Sequence, residues 1–483
     1  MTQGKCKPDR VWSIEGQHEV VFKQTWAAYL KSFGYDLDDF SFSDIEGGKK
    51  FVSGKAKNAL PKVSDASAVS AAPKFTERTQ KTFEANQGKA LTYEGTYDVK
   101  AKAPSKEVYS HLAKFKPAEL HQAFWASLRN DSPDNNMLRF VRARKFKLNA
   151  IVDMAAKCLE WKVKEYPVDK WTMDGDLEIY DSKKHPEIIK AFEMEKAYFR
   201  GVDRDGGPIV VIRVKKHFGS DCPEKDFERF ICLIIEWVRI ALKDYELGND
   251  GANILFDMNG FSLKNADLSA VKFLAKAFEA NYPESLSAIW IHKAPWIFNA
   301  VWKIIKGWLD PVVASKVHFT KNADDLAKFA DKKFIPKDLG GNDDYKPEYI
   351  KPTKENAGTL PKDEKFEQLW KDRQELTYTF IETTLAWIKA KSAKESTELL
   401  DLKIQLGAEL AKNYLELDPY ISEDSKMSEL KISESLEVKI SESLELKMSE
   451  SLKIKDIFVF LRSESLKIKD PLHFLEMIFT FLR

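Results

Sequence analysis

Eight histidines could carry acid–base or metal chemistry: His18, His111, His121, His185, His217, His292, His318 and His473. No pair has the HExxH spacing of a metalloprotease helix. No GxSxG elbow offers a hydrolase nucleophile. The glycines of GVDRDGG, residues 201–207, are not followed by the GK[ST] of a phosphate-cradling loop, so this segment reads as a turn before a strand. The carboxylates are many but scattered, and nothing in the sequence pairs them for acid–base work. Cys6, Cys158, Cys222 and Cys232 match neither a zinc site nor a disulfide framework, and read as reduced thiols. These absences shift the reading from catalysis to binding, with no metal and no cofactor. Two segments concentrate binding chemistry. RARKF, ending at Phe146, is a basic cluster that would otherwise be a solvated helix face. Residues 295–310 place Trp296, Trp302 and Trp308 among Lys303 and Lys306, a mixture suited to a membrane interface, where rings sit at headgroup level and lysines meet anionic lipid.

The chain has 483 residues, enough for two or three compact units. Its 43% hydrophobic and 31% charged residues suit a globular, cytoplasmic protein. A net charge of +1 argues against nucleic acid as a partner, because bulk polyanion affinity needs a basic excess. No signal-peptide core opens the chain, and no run reaches the roughly 20 apolar residues of a spanning helix.

The elements that must position these residues change along the chain. Residues 17–33 have helical spacing of Val20, Val21, Trp26, Leu30 and Phe33, within an N-terminal helical segment spanning 1–45. Residues 46–104 are rich in Ala, Ser, Pro and Lys and read as a linker. A helical region follows over 105–175, with Ser132 and Pro133 as a helix start and Ile151, Met154, Cys158 and Trp161 on one helix face. Over 176–345, short apolar runs (GGPIVVIRVK, ANILFDMNG, SAIWIHKAP, SKVHFT) alternate with helical segments. That alternation predicts α/β architecture with a mainly parallel sheet. Two further helices, 363–389 and 396–415, fall within 346–420 and should pack back on the body. Residues 421–483 form a low-complexity tail with an eight-residue ISESLEVK-like repeat, to which no function is assigned.

Three separated pieces then make one pattern: MLRFVRARKF (137–146), NYPESLSAIWIHKAPWIFNAVWKIIKGWLDPVVASK (281–316) and FIPKDLGG (334–341). In order, with strands between them, they resemble the CRAL-TRIO lipid-binding family. The nearest likeness is to its fungal phosphatidylinositol transfer branch, the yeast secretory-fourteen-like proteins. The resemblance covers roughly residues 106–345 and extends loosely to Tyr420. It implies a helical N-terminal subdomain, a mainly parallel sheet flanked by helices around a lipid cavity, and extra helices at both ends.

The same resemblance implies roles. Arg144, Lys145 and Lys316 would meet the headgroup phosphate, since a buried phosphodiester needs cations and donors. Val313 replaces a phosphate-binding threonine of the family, leaving the site one donor short. Glu284 would bias the gate or brace Lys316, and otherwise is a helix-end carboxylate. The gate would carry Trp296, Phe298, Trp302, Ile305, Trp308 and Leu309. Ile209, Val211, Ile254, Phe256 and Ser262 would line the cavity, with ordinary core packing as the alternative. Lys264 stands where a second hydroxyl is expected, which predicts weak or absent phosphatidylcholine exchange. Gly340 and Gly341 would serve as a hinge, or mark only a turn. The implied protein is a monomeric, non-enzymatic carrier. It exchanges one phosphatidylinositol at a time, associates transiently with organelle membranes, and supplies phosphatidylinositol kinases. The alternatives are a carrier of another hydrophobic ligand, sterol-like or isoprenoid, and a non-transferring interaction protein.

Overall fold

A computed structural model describes residues 7–35, 37, 112–242 and 250–423. The expected linker over 46–104 and all but the first three residues of the expected tail lie outside them. The first helix, α1 (Gly16–Ser32), is followed by α2 (Pro117–Ser127), α3 (Pro133–Ala143), α4 (Leu148–Glu160), α5 (Val168–Ser182) and α6 (Pro186–Glu193). Pro133 occupies the first turn of α3 after Ser132, as the sequence predicts, because proline lacks the N–H that a helix start leaves unpaired. Two long helices close the described chain, Glu364–Ile388 and Ala393–Ile421. The second is longer than its apolar spacing predicts. Ser392 caps its start, and Pro419 is accommodated in its last turns.

These two helices pack with α1, α2, α3 and α4 around one apolar core that includes Trp26, Phe124, Leu138, Phe380 and Leu406. The core encloses a buried ion pair, with Lys403 Nζ 2.9 Å from Asp134 Oδ1. Trp26 Nε1 donates to the same oxygen at 2.8 Å, and the ammonium lies 4.2 Å from the Trp387 ring centroid. Burial outweighs Asp134 and pushes Lys403 down to about 8.

Between α6 and the closing pair lies a five-stranded sheet: β1 (Ala197–Val202), β2 (Pro208–Arg213), β3 (Ala252–Asp257), β4 (Leu286–His292) and β5 (Val317–Thr320). Spatial order follows chain order, β1 is antiparallel to β2, and every other pair is parallel. The turn at 203–207 joins β1 to β2, with Asp203 Oδ1 accepting the amides of Asp205 and Gly207. Helix α7 (Glu224–Ile240) links β2 to β3, and α8 (Leu268–Ala280) links β3 to β4. Helices α9 (Phe298–Lys306) and α10 (Pro311–Ser315) link β4 to β5.

The opposite sheet face is covered by residues 326–345. There Tyr198, Ile209, Val211, Leu255 and Trp290 pack with Leu326, Ile335 and Leu339. Gly340 and Gly341 belong to this cover. Gly340 has φ +94°, and a Cβ on Gly341 would lie 1.9 Å from the Ile335 carbonyl oxygen. A left-handed turn and a close backbone approach therefore account for both glycines.

Candidate functional site

A strand points successive side chains to opposite faces, so one face of this sheet can floor a cavity while the other packs as core. The register aligns Val210 with Ile254 and Ile212 with Phe256. It also aligns Ile254 with Ile289 and Phe256 with Ile291. These six residues floor an apolar cavity walled by α7 and α8 and roofed by α9. Its walls surround about 1620 Å³ of space free of atoms, counting the open mouth.

Ile254 and Phe256 line this cavity, but Ile209 and Val211 do not. With the observed register, the odd residues of β2 face the covered side, and Val210 and Ile212 take the cavity positions. Ser262 is also corrected. Its hydroxyl donates to Asn265 Oδ1 at 2.8 Å within a turn, outside the cavity lining. Lys264 is exposed to solvent and lines nothing in the cavity, so it no longer argues against a choline headgroup.

The roof divides by face. Phe298, Trp302, Ile305 and Leu309 line the cavity with Val301. Trp296 is 82% exposed and Trp308 42% exposed, and Ile304 and Val312 share that outer surface with the exposed Lys303 and Lys306. An amphipathic helix of nine residues thus presents one apolar face inward and its lysines to water, flanked by the exposed rings of Trp296 and Trp308. Val313, two residues beyond the α10 start, also lines the cavity.

A polar cleft adjoins the cavity at the edge where β3, β4 and β5 begin, and Leu286 borders both. Lys7, Arg10, Asp250, Glu284 and Lys316 contribute to it. Lys316 Nζ donates to the Leu286 carbonyl at 2.6 Å. Burial lowers its pKa from the ordinary lysine value, opposed by the charges of Glu284 and Asp250. Glu284 adopts φ +55°, a left-handed conformation that a non-glycine residue holds only when its surroundings fix it. Its carbonyl accepts from Arg139 Nη1 at 3.1 Å.

Asp250 ties the cleft together. Arg10 Nη2 lies 2.8 Å from its Oδ1, Arg142 Nη2 lies 2.7 Å from its Oδ2, and Arg139 donates to its carbonyl. Against the cost of burial, Arg139, Arg142 and Arg10 hold the Asp250 carboxyl well below the usual range. Arg144 and Lys145 are not among the residues lining the cleft. Arg144 ends α3, and Lys145 is exposed with φ +50°. The arginines of this helix that reach the frame of the cleft are Arg139 and Arg142, which brace Asp250 without lining the cleft themselves. The available signal is the spacing of Arg139 and Arg142, three residues apart and hence on one face of α3. No sequence pattern points to Arg10 or Asp250.

Cys158, Cys222 and Cys232 are free and buried. His292 is buried between Thr320 Oγ1 and the Leu339 carbonyl. Among the described residues, no group of three or more potential metal ligands exists. No described helix is long and apolar enough to cross a membrane.

Residues 192–341 match the CRAL/TRIO domain, and residues 104–156 match its N-terminal domain. The phosphatidylinositol transfer protein CSR1 of Eremothecium gossypii is 37% identical over 88% of this chain and 98% of its own length. The CRAL-TRIO domain-containing protein C3H8.02 of Schizosaccharomyces pombe is 29% identical, covering 87% of this chain and 90% of its own. The phosphatidylinositol/phosphatidylcholine transfer protein SFH12 of Arabidopsis thaliana is 28% identical over 43% of this chain and 39% of its own.

Proposed function

Because this chain belongs to the CRAL/TRIO family, we propose that it is a phosphatidylinositol carrier. It would withdraw one lipid from a membrane, enclose the acyl chains in the cavity, and release it at another membrane. The observation that carries this reading is the apolar cavity under α9, joined at Leu286 to a polar cleft. Each buried methylene is worth about 0.8 kcal/mol, so the chains leave a bilayer only for a comparably apolar space. Exchange between the two is then close to neutral, and the headgroup decides selectivity. An inositol phosphate needs cations for its phosphodiester and acceptors for its hydroxyls. Lys316 and Arg10 offer the first, and Glu284 and Asp203 the second. Arg144 and Lys145 would act in this scheme only at the membrane surface. No catalytic step is assigned to the chain. Any phosphorylation would belong to kinases that receive the lipid, and a single cavity per monomer suffices for the exchange.

Lys316→Glu is expected to weaken phosphatidylinositol binding about ten- to a hundred-fold, the worth of one or two charge-assisted contacts. Transfer of labelled phosphatidylinositol between vesicles measures it. Unchanged transfer would remove Lys316 from the headgroup site, and loss of every hydrophobic ligand alike would indicate a collapsed cavity instead.

The outer face of α9 and α10 is the surface we assign to the membrane encounter. Replacing Trp296 and Trp308 together by alanine should lower association with anionic vesicles about ten-fold, since two interfacial rings contribute more than about 1.4 kcal/mol. Neither ring lines the cavity, so lipid already bound should remain bound. Vesicle co-sedimentation beside mass spectrometry of the loaded lipid separates the two effects. Undiminished sedimentation would place the docking face elsewhere.

A further inference from the structure

Three loops leave the sheet at the edge where β2, β3 and β4 end, and each carries an exposed apolar side chain. Phe218 follows β2 and is 37% exposed, Leu263 follows β3 and is 62% exposed, and Trp296 follows β4. The three strands are neighbours, roughly 4.8 Å apart, so the loops emerge side by side. None of the three side chains lines the cavity.

Hydrogen bonds fix these loops. Ser262 N and Ser262 Oγ both donate to Asn265 Oδ1, at 2.9 and 2.8 Å, and close the turn that carries Leu263. Asn265 Nδ2 donates to the His217 carbonyl at 2.9 Å, which ties that turn to the residue before Phe218. Phe218 N donates to Asp221 Oδ2 at 3.2 Å. On the other side, Phe261 meets the Phe298 ring edge-on with centroids 5.4 Å apart, at the start of α9 and two residues past Trp296. Single apolar side chains on a surface need no explanation, but three gathered on adjacent, fixed loops form a patch.

The charge around the patch has one sign. Lys215 and Lys264 are exposed, and among the described residues neither enters an ion pair. Segments 215–220, 259–265 and 293–297 contain no Asp or Glu. Just beyond them, Asp221 lies 2.9 Å from Lys196 and Asp267 lies 3.1 Å from His217, while Asp257 is buried.

We propose that these strand-end loops insert into an anionic bilayer and extend the docking face of α9 across Trp296. Phe218 and Leu263 would be the apolar anchors, and Lys215 and Lys264 the cations that meet acidic headgroups. The inference rests on the carrier reading, which gives the contact its purpose. Continuity and charge select the occupant. The patch adjoins the start of α9, and apolar tips beside lysines match an interface where rings and alkyl groups pass below the headgroups and ammoniums stay among them. His217, beside Phe218, and Asn265, two residues past Leu263, line the apolar cavity. Docking through these loops therefore sets that end of the cavity against the bilayer.

The test is co-sedimentation of the full chain with vesicles of phosphatidylcholine alone and of phosphatidylcholine with phosphatidylserine, beside mass spectrometry of loaded phosphatidylinositol. Phe218→Ser with Leu263→Ser should lower association with both vesicles about ten-fold. Lys215→Gln with Lys264→Gln should lower association with the anionic vesicles about thirty-fold and leave the neutral ones unchanged. All four side chains lie outside the cavity lining, so both variants should still load phosphatidylinositol. Undiminished sedimentation of the loaded Phe218 and Leu263 variant overturns the inference and leaves the carrier reading standing. An equal loss on both vesicles in the lysine variant overturns the anionic assignment. Wild-type protein that binds neither vesicle overturns the docking surface and points to a protein partner for the patch. Wild-type protein that loads no phosphatidylinositol overturns the carrier reading, while the two vesicle comparisons still decide where the chain docks.

Discussion

Tryptophan placed at both Ile254 and Ala275 is expected to reduce phosphatidylinositol transfer more than a hundred-fold. The two positions supply the floor and a wall of the same cavity, from β3 and α8. Ile254 is 5% exposed and sits on the central strand between Val210 and Ile289, where a tryptophan suits the pleated surface. Two indoles would exclude about four methylenes of acyl chain from a space that must take whole chains. At about 0.8 kcal/mol per methylene that is roughly 3 kcal/mol, or more than a hundred-fold in affinity. The fold should not suffer, because the added rings fill space instead of displacing packed side chains. Loss of transfer with an unchanged or raised unfolding midpoint is therefore the expected pair of results. Transfer that survives both tryptophans, with the protein folded, would show that the lipid does not enter this cavity.

What the sequence disclosed, and what it concealed, follows from the range of each interaction. Helices declare themselves locally. The helix starts at Ser132 and Asp363 and the spacing of Ile151, Met154 and Cys158 are within a few residues of the structure they specify. The β-branched runs at 208–213, 252–257, 286–292 and 317–320 are likewise visible as strands. Ala197–Val202, half of a hairpin with arginine and glycine within it, carries no such mark. Register is a relation between strands and has no local sign. Nothing in GGPIVVIRVK says whether Ile209 or Val210 shares a face with Ile254, and a shift of one residue exchanges the two faces. The cleft was concealed for the same reason. Arg10, Arg142 and Asp250 meet from three distant parts of the chain, and only the burial of Asp250 makes the arginines necessary. The outer tryptophans of the roof were legible as an interfacial composition. Which rings turn inward depends on where the cavity lies.

Removing one carboxylate should loosen the cavity wall as well as the fold. Glu236 lies on α7 with its side chain 1% exposed, and three groups converge on it. Lys162 Nζ is 2.9 Å and Tyr282 Oη 2.8 Å from Oε1, and Arg239 Nη1 is 2.6 Å from Oε2. Arg239 also pairs with Asp131, which precedes α3, so the network binds the cavity wall to the helical layer. Burial alone would raise the Glu236 pKa, but Arg239 and Lys162 bring it from about 4.5 down to about 2. A depressed carboxyl pKa means that the folded protein binds fewer protons than the unfolded chain. The stabilisation is therefore complete above about pH 4.5 and is lost as pH falls toward about 2. Its size is about 3 kcal/mol, at roughly 1.4 kcal/mol for each pH unit between those two values. Glu236→Gln should cost about 3–5 kcal/mol at neutral pH, because two buried cations lose their shared partner. The deficit should shrink as both proteins are titrated below pH 4.5, where the wild type surrenders the same charge. Because Ile231, Ile234, Ile235 and Val238 of α7 all face the apolar cavity, the variant should also release bound phosphatidylinositol faster at neutral pH. Chemical denaturation from about pH 7 to about pH 3, beside lipid dissociation at neutral pH, reads both. A deficit constant across that range would mean that Glu236 stabilises by packing and not by charge, and an unchanged release rate would uncouple the network from the cavity wall that carries it.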